Sequence, residues 1–449
     1  MATTTNPPEV KSEGTLDRSG IAGHPAGLTT LFLTEMWERF SYYGMRALLT
    51  LYMAAALEQG GLGFSDATAT SIYGTYTMFA FMTPLVGGWI ADRFLGARRA
   101  VLWGGIIIAV GHFSMALSSL PGFYAGLVLI CGGTGLLKGN ISTMVGGLYS
   151  EDDPRRDSGF SIFYMGINLG ALLAPFVCGY LGQRIGWHVG FAAAGVGMTL
   201  GLVQYVYHRK RLEHVGARPV ARKASEPVAP KAKLSREEIR RLVVVFLLCC
   251  FSVIFFMILE QSGSSYTLFA DRHTNNTFLG FNFPSSWFQS AGPTFVVLLA
   301  PPLSWLWIRM GKRQPSSPAK FSMGLVFVGL GTLILAFGAN LTGGGVKVSP
   351  MWLISLYLVQ TVGELCLSPV GLSTTTKLAP VRMVGLMMGV WFLSISMGSK
   401  LAGFMAGFYK DDPGSMFRLF GGLALIGVVS GLLMAVLVPS IKKLTAHES

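Results

Sequence analysis

Between Thr34 and Gly44 the chain reads TEMWERFSYYG, which sets Glu35, Glu38 and Arg39 inside the apolar run LFLTEMWERFSYYGMRALLTLYMAAAL, with Arg46 two turns further on. Two carboxylates that share one guanidinium form a grouping suited to taking up and releasing a proton. At 100° per residue Glu35, Glu38, Arg39, Tyr42 and Arg46 fall within roughly 100° of one helix face, and Tyr43 lies at its margin. A charge at the centre of a bilayer costs at least about 2.5–3.5 kcal/mol. Such a stripe must face a polar cavity or satisfy itself.

Other apolar runs supply partners: Lys138 in LLKGN, Glu260 in FFMILEQSGSS and Glu364 in TVGELCLSP. The deeply placed groups are four carboxylates (Glu35, Glu38, Glu260, Glu364) and three cations (Arg39, Arg46, Lys138). One surplus carboxylate in a low-dielectric site favours protonation, and one of Glu35 and Glu38 is the candidate carrier. Lys400 stays out of the tally on the expectation that it snorkels to the outer interface; turned inward, it would balance the charge. Pinning helices together explains one buried pair. It does not explain seven charges spread over four runs with tyrosines interleaved. Cations dominate the first half of the chain while the second supplies Glu260 and Glu364, so together they make a dipolar cavity suited to a zwitterion.

The elements that must position these groups are membrane spans. Of 449 residues 51% are hydrophobic and 13% charged, about half the charge of a soluble chain, and the mean hydropathy is +0.52. Twelve spans are expected near 28–57, 66–91, 98–118, 121–149, 157–183, 186–208, 239–269, 285–310, 318–339, 349–377, 382–409 and 414–438. The fold class is an all-α polytopic membrane protein, its helices in two six-helix bundles (28–208 and 239–438). A cytoplasmic tail (1–27), a basic cytoplasmic linker (209–238) and a second tail (439–449) complete the expected layout. The connections ADRFLGARR, EDDPRRD, RMGKRQPSSPAK and KLAPVR, with the linker, hold most of the Lys and Arg. This bias places both termini in the cytoplasm and assigns the net charge of +13 to topology, not to nucleic-acid binding. No apolar h-region is read in the first two dozen residues, and GINLG at Gly166–Gly170 is read as a close helix contact.

The loop after the second span, with Gly88, Asp92, Arg93, Gly96, Arg98 and Arg99, resembles the cytoplasmic motif of the major facilitator superfamily, read here as gating or packing; WLWIRMGKRQ is a degenerate copy. Glu35-x-x-Glu38-Arg39-Phe40-x-Tyr42-Tyr43-Gly44 resembles the signature of the proton-dependent oligopeptide transporter family within that superfamily. FYMGINLGALLAPFVCGYLG, GTGLLKGNISTMVG and TVGELCLSPVGLS resemble its spans five, four and ten, and the likeness runs from about 28 to about 438. The resemblance implies proton-coupled import of di- and tripeptides by alternating access. It implies proton coupling at Glu35, Glu38 and Arg39, peptide-carboxylate contacts at Arg46 and Lys138, and hydrogen bonds from Tyr42, Tyr43 and Asn168. Glu364 would take the amino group. Phe81, Phe256 and Trp391 would bound the substrate site, and Arg46–Glu260 and Lys138–Glu364 would be gating pairs. The chain departs from the family at Gly74 (a histidine in animal members), at Phe81 (often a tyrosine) and at Gly292 (commonly an asparagine). The linker has no room for the two extra helices of many bacterial members.

Other classes find little support. Gly133-x-Gly135-x-x-Lys138 follows no strand and is no phosphate loop. The five cysteines read as small buried hydrophobes, and His112 as a satisfied core residue. No nucleophile–base pair, metal spacing or cofactor loop is read, so neither an enzyme nor a cofactor is expected. The remaining alternatives are a transporter of nitrate or another anion, and a peptide receptor that moves nothing. The expected setting is the cell membrane, with a functional monomer.

Overall fold

The computed structural model describes residues 17–217 and 234–445, apart from 151 and 279. Parts of the expected tails and linker (1–16, 218–233 and 446–449) lie outside the described residues. Long helical segments follow one another as α1 (Ala26–Ala54), α2 (Asp66–Ile90), α3 (Ala97–Met115) and α4 (Leu120–Gly147). Then come α5 (Arg156–Arg184), α6 (Trp187–Tyr207), α7 (Arg236–Arg272), α8 (Ser285–Arg313), α9 (Ser317–Asn340) and α10 (Met351–Leu378). The last two are α11 (Val384–Ala406) and α12 (Pro413–Thr445), the latter running seven residues into the expected tail. A hairpin of β1 (Thr277–Phe278) and β2 (Phe281–Asn282) joins α7 to α8.

Local chemistry sets these boundaries. Ser65 and Ser119 accept the N–H groups of Thr68 and Gly122 at 3.2 Å, capping α2 and α4. Ser235 and Glu238 cap α7 reciprocally. Gly96, at φ 75°, turns the chain after α2, and Gly311, at φ 50°, turns it within the last residues of α8, a backbone form in which a side chain would be strained. Nine of the segments, α4 to α12, are apolar enough to cross a membrane by length and composition alone. α1 fails that measure because its four charges crowd every window, yet Glu35, Glu38, Arg39 and Arg46 are all buried. The outer surface is apolar instead: Val128, Ile308 and Val436 are more than 70% exposed, as lipid-facing side chains should be.

Two bundles result. One buried apolar cluster runs from Val244 to Ile441, and two others are built from residues between Leu28 and Val215. GINLG lies against α1, where side chains at Gly166 and Gly170 would collide with Phe32 and Met36. The hydrogen bonds between bundles gather at the end distal to Ala26 and Thr445. There Arg272 takes Asp66 in a two-pronged pair at 2.6 and 2.7 Å and also holds Asp411 at 2.7 Å. His273 adds a 3.0 Å contact to Asp411. Gln183 bonds Ser285 and the Ser286 N–H, and Ser290 donates to the Leu172 carbonyl. Toward the proximal end, Leu85, Val86, Trp89 and Leu386 are 42–61% exposed. The bundles are latched distally and parted proximally.

Gly74 explains part of this closure. A Cβ there would meet Gly403 Cα at 2.8 Å and the Ser399 carbonyl at 3.0 Å, so α2 and α11 touch backbone to backbone. This packing leaves no room for a histidine. Gly74→Leu is expected to hold the distal ends apart, lengthening the electron-spin distance between labels at the exposed Leu57 and Phe408; Gly88→Leu, which faces open space, should leave it unchanged.

The latch also has a pH signature. The bond from His273, with Arg272 beside it, holds the Asp411 carboxyl below its usual range. A lowered carboxylate contributes above its unfolded pKa and is lost as the pH falls through the folded one. Arg272, His273 and Asp411 all belong to the second bundle, so the thermal stability they lend it should stay constant from pH 8 to about pH 5 and fall only below about pH 4, whereas Asp411→Asn should lower it throughout.

Candidate functional site

The acidic and basic residues of α1 occupy two separate places. Nearer the proximal end, Arg39 donates two hydrogen bonds to Glu38, one to each carboxylate oxygen. Its Nε lies 3.3 Å from Glu35 Oε1. Glu35 Oε2 is buried without a hydrogen-bond partner. Tyr42 packs beside this triad, with Arg39 5.1 Å from its ring centre and Tyr76 stacked at 6.3 Å. The triad is closed off from solvent, with Glu35, Glu38 and Arg39 at 3%, 0% and 4% exposed.

About 10 Å further along the helix, Arg46 reaches into the second bundle. Its Nη2 donates to Glu260 Oε2 at 2.7 Å and to Ser262 Oγ at 3.1 Å, and its Nε donates to Tyr73 Oη at 2.6 Å. Arg46 and Glu260 are 8% and 7% exposed, so this is a buried ion pair across the seam. It forms where α7 breaks: a 3-10 turn at Glu260–Gly263 interrupts the helix. The freed Gly263 carbonyl accepts from Thr50 Oγ1 at 2.6 Å. Irregular backbone at this depth is tolerable because side chains take over its hydrogen bonds.

Beside the pair lies a cavity of about 140 Å³ walled by both bundles, with Tyr43 and Arg46 from α1, Asn168 from α5, Glu260 and Ser262 from α7, and Tyr357, Gln360 and Glu364 from α10. Among the described residues Glu364 has no ion pair. Neither does Lys138, whose Nζ sits 4.2 Å above the Phe81 ring. The second implied gate, Lys138–Glu364, is thus not formed, as a parted proximal end requires. Asn168 donates to the Tyr164 carbonyl at 2.9 Å.

Three implied contact residues lie elsewhere. Phe81 is occupied under Lys138. Phe256 and Trp391, 8% and 2% exposed, are packed into the core of the second bundle, Phe256 against Gly398 and Trp391 against Gly371. Lys400 does not snorkel outward: its Nζ donates to Thr75 Oγ1 at 2.6 Å across the α2–α11 seam. Turned inward, it brings the deep cations to four against four carboxylates, and among the described residues it forms no ion pair with any of them. His112 is fully buried with neither ring nitrogen bonded, contrary to the satisfied core residue expected. Cys250 is exposed, unlike the other four cysteines.

Tyr73, Ser262, Thr50 and Gln360 escaped sequence reasoning. The run EQSGSS carried a usable signal, since a glycine between serines directly after Glu260 marks a break. Nothing local marks Tyr73, whose role arises from a contact 27 residues away.

Residues 98–228 and 221–423 match the model of the POT family. The chain is similar to the uncharacterized transporter YclF of Bacillus subtilis, 42% identical with 99% of each chain covered. It is 38% identical to the peptide transporter YePEPT of Yersinia enterocolitica, over 99% of this chain and 98% of that one. In structure it resembles the crystallised peptide transporter POT in complex with sulfate, at a TM-score of 0.90 and 38% identity over 96% of this chain and 97% of that one.

Removing one partner of a buried ion pair costs about 3–5 kcal/mol. The Arg46–Glu260 pair spans the seam in this distally closed state, so that cost falls on it. Glu260→Gln should therefore lengthen the Leu57–Phe408 label distance and lower transport at least tenfold.

Proposed function

The chain belongs to the POT family, and from that membership we propose that it is a proton-coupled symporter importing di- and tripeptides by alternating access. The observation that carries this reading is the cavity: an unpaired carboxylate, Glu364, on the wall given by the second bundle, and Arg46 on the wall given by the first. The ends of a dipeptide are about 7 Å apart, and a zwitterion of that length answers both walls. A simple anion would be drawn to Arg46 and repelled by Glu364.

In the proposed cycle the peptide carboxylate competes with Glu260 for Arg46. Its ammonium goes to Glu364, which in the converse state pairs with Lys138. Binding a ligand by both ends draws the bundles together proximally. The proton belongs to the triad. Both Glu38 oxygens are engaged by Arg39, whereas Glu35 makes one long contact and leaves its second oxygen bare. Glu35 is the better proton site on this geometry. Its charge state changes the hold on Arg39, on the same rigid helix that carries Arg46. Tyr42, Tyr43 and Asn168 are proposed hydrogen-bonding contacts, and Phe81, Phe256 and Trp391 can reach a ligand only after the bundles rearrange. We place the protein in the cell membrane as a monomer, with both termini cytoplasmic, because the basic connections share the proximal end.

Labelled dialanine should accumulate in proteoliposomes only under an inward proton gradient, with unlabelled dialanine but not nitrate competing. Glu35→Gln should lower gradient-driven accumulation at least tenfold and leave counterflow exchange within a few-fold. Glu38→Gln, which strips Arg39 of its main partner, should damage both. Gradient-driven accumulation retained in both variants would refute the assignment.

A further inference from the structure

Gln360 stands one helical turn before Glu364 on α10, borders the same cavity and is 1% exposed. Its Nε2 lies 3.2 Å from Tyr266 Oη and 3.1 Å from Thr332 Oγ1. Its Oε1 is buried with no partner. A side-chain amide can be built either way round, so the orientation has to be decided by counting protons. The Thr332 hydroxyl has one proton and donates it to the Val328 carbonyl at 2.8 Å. The Tyr266–Thr332 contact at 2.9 Å therefore uses the tyrosine's proton. Both hydroxyl oxygens are left as acceptors toward Gln360, and only an NH₂ group serves both. A flipped amide would face Thr332 with two acceptors and no proton between them. The network thus fixes Gln360 with Nε2 inward and leaves Oε1 as a committed acceptor.

We propose that Gln360 is a ligand-binding residue whose Oε1 accepts a hydrogen bond from the substrate's ammonium group, alongside the Glu364 carboxylate. This inference rests on the peptide reading of the cavity. A buried acceptor left unpaired is costly, and Arg46 Nε and Nη2 and the Gln289 amide already serve Tyr73, Glu260, Ser262 and Thr267. Residues four apart on a helix are neighbours about 6 Å apart along its axis. One tetrahedral ammonium between Gln360 and Glu364 can donate to both. Glu364 supplies the charge complement, and Gln360 supplies a directed neutral acceptor that selects a group carrying more than one N–H.

The test is equilibrium binding to the purified full chain, comparing dialanine with N-propionyl-alanine, which has the same outline without the ammonium. Gln360→Met should weaken dialanine about tenfold and leave N-propionyl-alanine unchanged. Gln360→Glu, protonated on its inner oxygen to serve Thr332, keeps an outer acceptor and should retain dialanine affinity within a few-fold; if the methionine variant fails to fold, loss of dialanine affinity here overturns the proposal. Tyr266→Phe removes an inner partner but not the acceptor, and should hold dialanine within about twofold. Equal losses for both ligands, no loss for dialanine in Gln360→Met, or a Tyr266→Phe variant as impaired as Gln360→Met would each overturn the proposal while the peptide reading stands. A parent chain that binds no dialanine would overturn both.

Discussion

The architecture depends on a charge that has to be neutralised across a seam. Arg46 sits deep in α1, 8% exposed, and its counter-ion Glu260 belongs to the other bundle. A buried pair gains little over a well-packed apolar contact, because desolvation takes back most of the attraction. Its value lies in the penalty for separation. Each bundle alone carries an unpaired buried charge, so the two must either meet or exchange partners. A ligand with opposite charges at its ends would offer that exchange, which an apolar seam could not.

Two further devices keep the distal end closed while this pair is made. One is close packing: Gly74 against Gly403 brings two helix backbones into contact, and small residues are what permit such an approach in lipid, where no hydrophobic force pushes helices together. The other is the polar latch of Arg272 with Asp66 and Asp411 at the end of α7. The break in α7 at Glu260–Gly263 lies between the ion pair and the latch, so the segment from Ser265 to Arg272 is tied at both ends to the first bundle. Among the described residues no comparable bonds tie the bundles proximally, and the exposed Trp89 and Leu386 mark where they part.

The Glu35–Glu38–Arg39 triad and the cavity beside Arg46 occupy separate places along one element. Glu35, Glu38 and Arg39 are sealed inside the first bundle, while Arg46, two turns on, faces the second. A rigid helix is the connection between them. Mixing the two functions in a single chamber would let water bridge the triad and the ligand. Burial of the triad away from the cavity strengthens its electrostatics.

The sequence by itself determined the spans, the pairing of α1 charges with each other and the need for a polar interior, because all three follow from periodicity and the cost of charge in lipid. Span positions came out within a few residues, since hydrophobic length and the basic connections are local properties. Only the tertiary structure decided that Glu35 is left with a bare oxygen, that Lys400 turns to Thr75, that Phe256 and Trp391 are packed in a core, and that Gln360 keeps an unmet acceptor. Those outcomes depend on which helix lies opposite and in which state the bundles rest. Residues 27 to 325 positions apart make these contacts, and no local pattern in a single chain specifies a partner at that distance.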